Sequence, residues 1–179
     1  MKNDLKKIKK RFEELKTVRQ PWESQWQELT EYLLPRRGKY LGGQEDSEQD
    51  RGKKKNDKIK KSIAYKAIGT LASGMQGGLT SPSRQWFRLL LSNSELMQVQ
   101  SVKEYLNYIE KAMYHVFAKS NIYGALYSCY EELCVYGVSA IVIEEDFETV
   151  IHPRQLTIGE FWIGTDSRGR PDTLYVNSN

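Results

Sequence analysis

The chain has 179 residues, 39% hydrophobic and 28% charged, enough for one sizeable buried core and expected to form a single soluble domain. Its longest apolar stretches, such as 138–143, fall far short of the roughly 20 residues a membrane-spanning helix needs, and the Lys-rich start is followed by no apolar leader core, so a cytoplasmic protein is expected. The net charge of +4 is unevenly divided: residues 1–61 carry 18 Lys/Arg against 11 Asp/Glu, residues 62–179 carry 9 against 12, and the basic part suits phosphate or another acidic surface.

Leu5, Ile8, Phe12 and Leu15 recur at spacings of three and four, and Trp22, Trp26, Leu29 and Leu33 continue the rhythm, which predicts an amphipathic helical arm over 1–35. Pro21 lacks an amide hydrogen and biases Gln20 away from helical dihedrals, so a break between two helices is expected there. Leu34-Pro35-Arg36-Arg37-Gly38 closes the arm. From 42 to 57 the chain is nearly without apolar residues, and 36–57 is expected to be a mobile, polar and basic loop. Ile59, Ile63, Ala67, Leu71 and Met75 predict a further helix that starts near Asp57 and stops at Gly77-Gly78, with small residues that permit close helix contacts.

Trp86-Phe87-Arg88-Leu89-Leu90-Leu91 is short, aromatic and bounded by polar residues, the pattern of a buried strand. Val102, Leu106, Ile109, Met113, Val116 and Phe117 mark a long helix. Ser120-Asn121 interrupts it, and Leu126, Tyr130 and Leu133 mark another that ends at Gly137. Short strands are predicted at 138–143, 149–151, 160–163 and 173–176, with Asp166-Ser167-Arg168-Gly169 as a hairpin turn. Helices first and strands later give an α+β class: a helical arm and long helices packed with a small, mostly antiparallel β-sheet.

The residues offer little chemistry. No glycine is followed by the Lys-Ser/Thr pair of a phosphate-cradling loop. Ser139 sits in Gly137-Val138-Ser139-Ala140, but a nucleophile elbow needs a strand leading into a helix, and here a helix leads into a strand. Glu144-Glu145-Asp146 alternate in direction along a strand and read as a solvated end. His115 and His152 have no ligand or triad spacing. Cys129 and Cys134 fall about 140° apart around a helix and are expected to be reduced. No enzyme, metal or cofactor is expected. Trp22, Trp26 and Tyr32 beside Arg36, Arg37 and Lys39 could stack bases or grip a partner, although helical spacing favours packing of the arm. Lys53, Lys54 and Lys55 form a basic cluster suited to phosphate contact, balanced by nearby acidic residues.

Four blocks together carry a resemblance: PWESQWQELTEYLLPRRGKYL (21–41), TLASGMQGGLTSPSRQWFRL (70–89), YEELCVYGVSAIVIEED (130–146) and LTIGEFWIGTDSRGRPDTLY (156–175). In this order the chain resembles the N-terminal wing region of the head-to-tail connecting, or portal, proteins of short-tailed bacteriophages. The resemblance implies a structural ring, usually of twelve subunits, at one vertex of the capsid in the virion. Such a ring nucleates head assembly with capsid and scaffolding proteins, docks the terminase packaging motor, joins the tail, and passes double-stranded DNA without bond-breaking chemistry or a membrane. By position, Trp22, Trp26, Leu33 and Pro35 fall on the family's arm motif, and Gly74, Pro82, Trp86 and Phe87 on its helix-to-strand motif. All eight are expected to shape the subunit and its contacts with neighbours, while Arg36, Arg37, Lys39, Lys53, Lys54 and Lys55 are the candidates for DNA contact. The family's stem and clip regions have no counterpart in these residues, so a shortened form, natural or a fragment, is expected. A stand-alone basic helical nucleic-acid-binding module is the alternative.

Overall fold

The computed structural model describes residues 2–41, 58–59 and 61–177. Four α-helices precede four β-strands among these residues: α1 (Lys2–Leu33), α2 (Ile63–Leu79), α3 (Gln100–Lys119), α4 (Ile122–Tyr136), β1 (Ala140–Asp146), β2 (Val150–Leu156), β3 (Phe161–Thr165) and β4 (Pro171–Val176). The expected α+β class holds, but the strands form two separate antiparallel hairpins, β1–β2 and β3–β4, rather than one sheet. The chain divides into two compact units, one from 1–68, 132–140 and 156–179, the other from 69–131 and 141–155.

In the first unit α1 runs unbroken through Pro21, against the expected break. Pro21 lies on the exposed side of the helix. Thr17, whose carbonyl loses its amide partner, is exposed too, so solvent can take that partner's place and the helix need not stop. It stops at Leu33, where Pro35 prevents continuation, and Leu34 N–H and Arg37 N–H close the end on the carbonyls of Thr30 (3.1 Å) and Leu34 (2.9 Å).

The core of this unit is Leu34, Leu41, Tyr136 and Ile158, with Trp26, Leu29, Val135 and Val138 packed on it. A buried polar pair is built into it. The Thr30 hydroxyl donates its one hydrogen to the Trp26 carbonyl at 2.7 Å, so the Tyr136 hydroxyl, 2.8 Å away, donates to Thr30. Burial, the largest effect, pushes the Tyr136 phenol up to about 12. Gly159 is required beside this core: its φ is +92°, and a Cβ there would stand 2.7 Å from the Tyr40 carbonyl carbon and oxygen.

The β3–β4 hairpin turns where the sequence predicts. Asp166 N–H bonds the Arg170 carbonyl at 2.8 Å, Gly169 N–H the Asp166 carbonyl at 3.0 Å, and Gly169 takes a φ of 75°. The Asp166 carboxylate accepts from the Arg170 and Arg168 amides and the Arg170 side chain, which holds it below the usual carboxylate range.

In the second unit the 86–91 segment is not a strand, which corrects the expectation of a buried β element. Side chains of α3 hold three of its amides and one of its carbonyls. The Tyr114 hydroxyl accepts from the amides of Trp86 (2.7 Å) and Phe87 (2.9 Å) and donates to the Phe87 carbonyl (3.1 Å). The buried Glu110 carboxylate accepts from Leu89 N–H at 2.7 Å. Rings secure the same contact: Phe87 stacks on Tyr114 at 4.6 Å and Trp86 on Phe117 at 6.0 Å.

Helix α2 begins at Ile63, four residues later than the apolar rhythm suggests. The Ser62 carbonyl accepts from Lys66 N–H at 3.0 Å, and serine suits the start of a helix. It also passes through Gly77-Gly78 instead of stopping there. The Arg84 guanidinium donates to the carbonyls of Gly77 (2.7 Å) and Gly78 (2.8 Å), satisfying end groups that would otherwise favour an earlier stop. Helices α3 and α4 meet at Ser120-Asn121 and α4 ends before Gly137, as the sequence predicts. The start of β1 falls two residues later than expected, and β2 extends further, to Leu156.

Candidate assembly interface

Leu15, Val18, Arg19, Trp22 and Trp26 fall at helical spacings along one side of α1, and the same unit brings Tyr136, Val138, Ile158 and β3's Phe161, Trp162 and Ile163 opposite them. Together they line an apolar groove of about 340 Å³. Its wall is fixed by aromatic contacts: Phe12 meets Trp162 edge-on at 4.9 Å and Tyr175 at 5.3 Å, and the Tyr175 hydroxyl donates to the Ile8 carbonyl at 3.1 Å. Leu15 passes Gly164 so closely that a Cβ there would sit 3.4 Å from its side chain.

Among the described residues, Arg19 is the one charged group in the groove lining. Its guanidinium lies 4.5 Å from the centre of the Trp162 ring, donates to the Phe161 carbonyl at 3.0 Å and pairs with Glu23 at 2.9 Å. Its side chain keeps only 11% of its exposure. Burial pulls its pKa down and the Glu23 carboxylate opposes that, so the arginine stays charged while serving as a clamp from α1 to β3. The lining is otherwise hydrocarbon and aromatic ring, suited to an apolar side chain and not to bond-breaking chemistry.

Trp22 stands half-exposed at the groove, and Trp26 packs inward on the core, so the sequence reading of arm packing describes Trp26 better than Trp22. Leu33 and Pro35 are half-buried at the end of α1. Arg36 is exposed. Arg37 is half-buried, its carbonyl accepting from the Thr157 hydroxyl at 3.1 Å, and Lys39 lies over the Tyr40 ring at 4.8 Å. Lys53, Lys54 and Lys55, with residues 42–57 of the loop expected over 36–57, lie outside the described residues, while 36–41 are described and Leu41 is buried in the core. In the second unit Trp86 and Phe87 belong to the aromatic cluster on α3, while Pro82 is exposed. Gly74 is exposed on α2 with nothing within 4 Å of an added Cβ, so no close helix contact explains it. Sequence reasoning missed Arg19, Val18 and Trp162. The first two share the helical phase of Trp22 and Trp26, which is a usable signal, whereas Trp162 has none beyond its aromaticity.

Candidates for catalysis find no support in the geometry. Ser139 lies in the helix-to-strand connection, Glu144 and Glu145 are exposed on β1, and His115 and His152 are exposed. Neither cysteine forms a disulfide, and Cys129 is buried. Among the described residues no group of three His, Cys, Asp or Glu is placed to hold a metal ion, and no helix is long and apolar enough to cross a membrane.

A family model described as bacteriophage head to tail connecting protein matches residues 5–179. The chain belongs to this family. It is 41% identical over 165 residues to a probable portal protein of Bordetella phage BPP-1, covering 92% of this chain and 29% of that protein. It is 33% identical over 167 residues to a portal protein of Salmonella phage epsilon15, covering 93% of this chain and again 29% of that protein. The chain thus spans under a third of the length of these connector relatives, and the groove lies within the matched part.

Proposed function

We propose that this chain is the N-terminal, wing-like part of a phage portal subunit, and that it acts by assembling with copies of itself into the ring through which DNA is packaged and ejected. The observation that carries this reading is the match of the connector family along residues 5–179, joined by two relatives named as portal proteins. An apolar groove lined by aromatic rings, suited to a polypeptide side chain, fits an architectural role. In the assembled particle, at the capsid vertex, the partners are the terminase motor and the capsid, scaffolding and tail proteins. Double-stranded DNA passes through the ring, and contact with it runs through phosphates at exposed cations such as Arg36, weakening with salt. Trp22 lies at the contact with a neighbouring copy, Trp26, Leu33 and Pro35 set the arm that presents it, and Gly74, Pro82, Trp86 and Phe87 shape the connection after α2. The stem and clip belong to the part of the relatives that this chain does not span.

Light scattering across a concentration series, with negative-stain microscopy of the heaviest fraction, tests this. Concentration-dependent growth to ring-sized particles is expected; a monomer at every concentration and salt overturns self-assembly by this region.

A further inference from the structure

The tip of the β1–β2 hairpin has no role in the fold described above. Phe147 is fully exposed, and Ile143 and Val150 nearby are more than half exposed. The tip is held in shape: Asp146 Oδ2 accepts from Thr149 N–H at 2.7 Å and from the Thr149 hydroxyl at 2.6 Å, bonds that hold the Asp146 carboxyl below the usual range. Val150 takes a φ of 72°, a conformation β-branched residues avoid. A large ring presented on a stiff turn loses little freedom on docking. Around it stand Glu144, Glu145, Asp146 and Glu148, with no cation from 141 to 151.

The groove of the first unit has the opposite character. It is concave and apolar, walled by Trp22, Trp26 and Trp162, and formed on α1, which carries seven cations against two acidic residues between Leu5 and Gln20. We propose that the Phe147 tip of one copy enters the groove of a second copy, with the acidic collar set against the basic arm. The apolar knob supplies affinity, and the opposed charges speed the encounter and fix its orientation. Two different patches of one chain then form the contact, so the interface is head-to-tail and repeats into a closed ring or a filament. This inference rests on the self-assembly reading above and gives it a specific interface.

Sedimentation and light scattering of the whole chain test it, with wild type, Phe147→Ser, Trp22→Ala and an equimolar mixture of the two variants. Far-UV circular dichroism confirms that each folds, which the exposure of both residues favours. Each variant alone is expected to associate roughly 30-fold more weakly than wild type. The mixture is the diagnostic arm. A Phe147→Ser copy keeps its groove and a Trp22→Ala copy keeps its knob, so the two form a one-to-one pair that grows no further. If wild type associates while Phe147→Ser matches it, or if the mixture stays monomeric, the docking is overturned and the self-assembly reading stands. If wild type is monomeric throughout, both fall.

Discussion

Replacing Tyr136 with phenylalanine removes one hydroxyl from the core of the first unit and leaves the ring in place. That hydroxyl donates to Thr30 at 2.8 Å while Thr30 donates to Trp26, so the change removes one buried hydrogen bond and leaves the threonine proton satisfied. The expected loss near pH 8 is about 1 kcal/mol. The same hydroxyl also makes stability depend on pH. Its folded pKa is raised to about 12 from the usual 10.0, so the native state favours the neutral phenol. That contribution is complete below pH 10 and is lost as pH rises through 12, and its full size is at most ~2.7 kcal/mol before solvent screening reduces it. Urea unfolding of both proteins at pH 8 and at about pH 11.5 measures the difference; the other tyrosines and lysines titrate in both and cancel. Wild type should lead by about 1 kcal/mol at the lower pH, and the lead should vanish or reverse at the higher. A difference that stays constant between the two would refute the argument, and so would no difference at pH 8.

Tyr114→Phe should cost roughly 2–4 kcal/mol in the same assay, because three backbone groups of Trp86 and Phe87 lose their partner at once; a cost below that of Tyr136→Phe would contradict the role given to the hydroxyl. Glycine 159 and glycine 169 should separate cleanly in thermal melts. Gly159→Ala meets both a positive φ and the Tyr40 carbonyl and should lose roughly 2–4 kcal/mol, whereas Gly169→Ala has open space and should lose about 1. Arg84→Ala should leave global stability within about 1 kcal/mol and speed amide exchange at the end of α2, since the lost bonds to Gly77 and Gly78 are exposed.

Local rules explain which parts of the fold were legible. The break at Ser120-Asn121, the end of α4 before Gly137 and the turn at 166–169 each rest on residues within a few positions of one another, so the sequence carries them openly. Pro21 misled because its cost depends on whether the Thr17 carbonyl can reach water, which is a matter of tertiary exposure. The 86–91 segment misled for a related reason: its composition asks for backbone partners, but not for which kind, and Tyr114 and Glu110 stand a helix away. Of the candidate interface, Trp22 and Trp26 were visible through helical phase. Arg19 meeting Trp162, and a lone Phe147 left in solvent, were not, because each is fixed by long-range packing.

The clasp on the 86–91 segment also bears on aggregation. A run of Trp, Phe and three leucines with a single charge is the composition that pairs edge-to-edge between chains when its amides are open. A neighbouring strand could slide by two residues and keep its bonds, but Tyr114 and Glu110 hold three amides at fixed points, so the segment can neither slip register nor offer those donors to another molecule. The hydroxyl of Tyr114 thereby acts as a gatekeeper from a distance, keeping a sticky sequence out of intermolecular sheets.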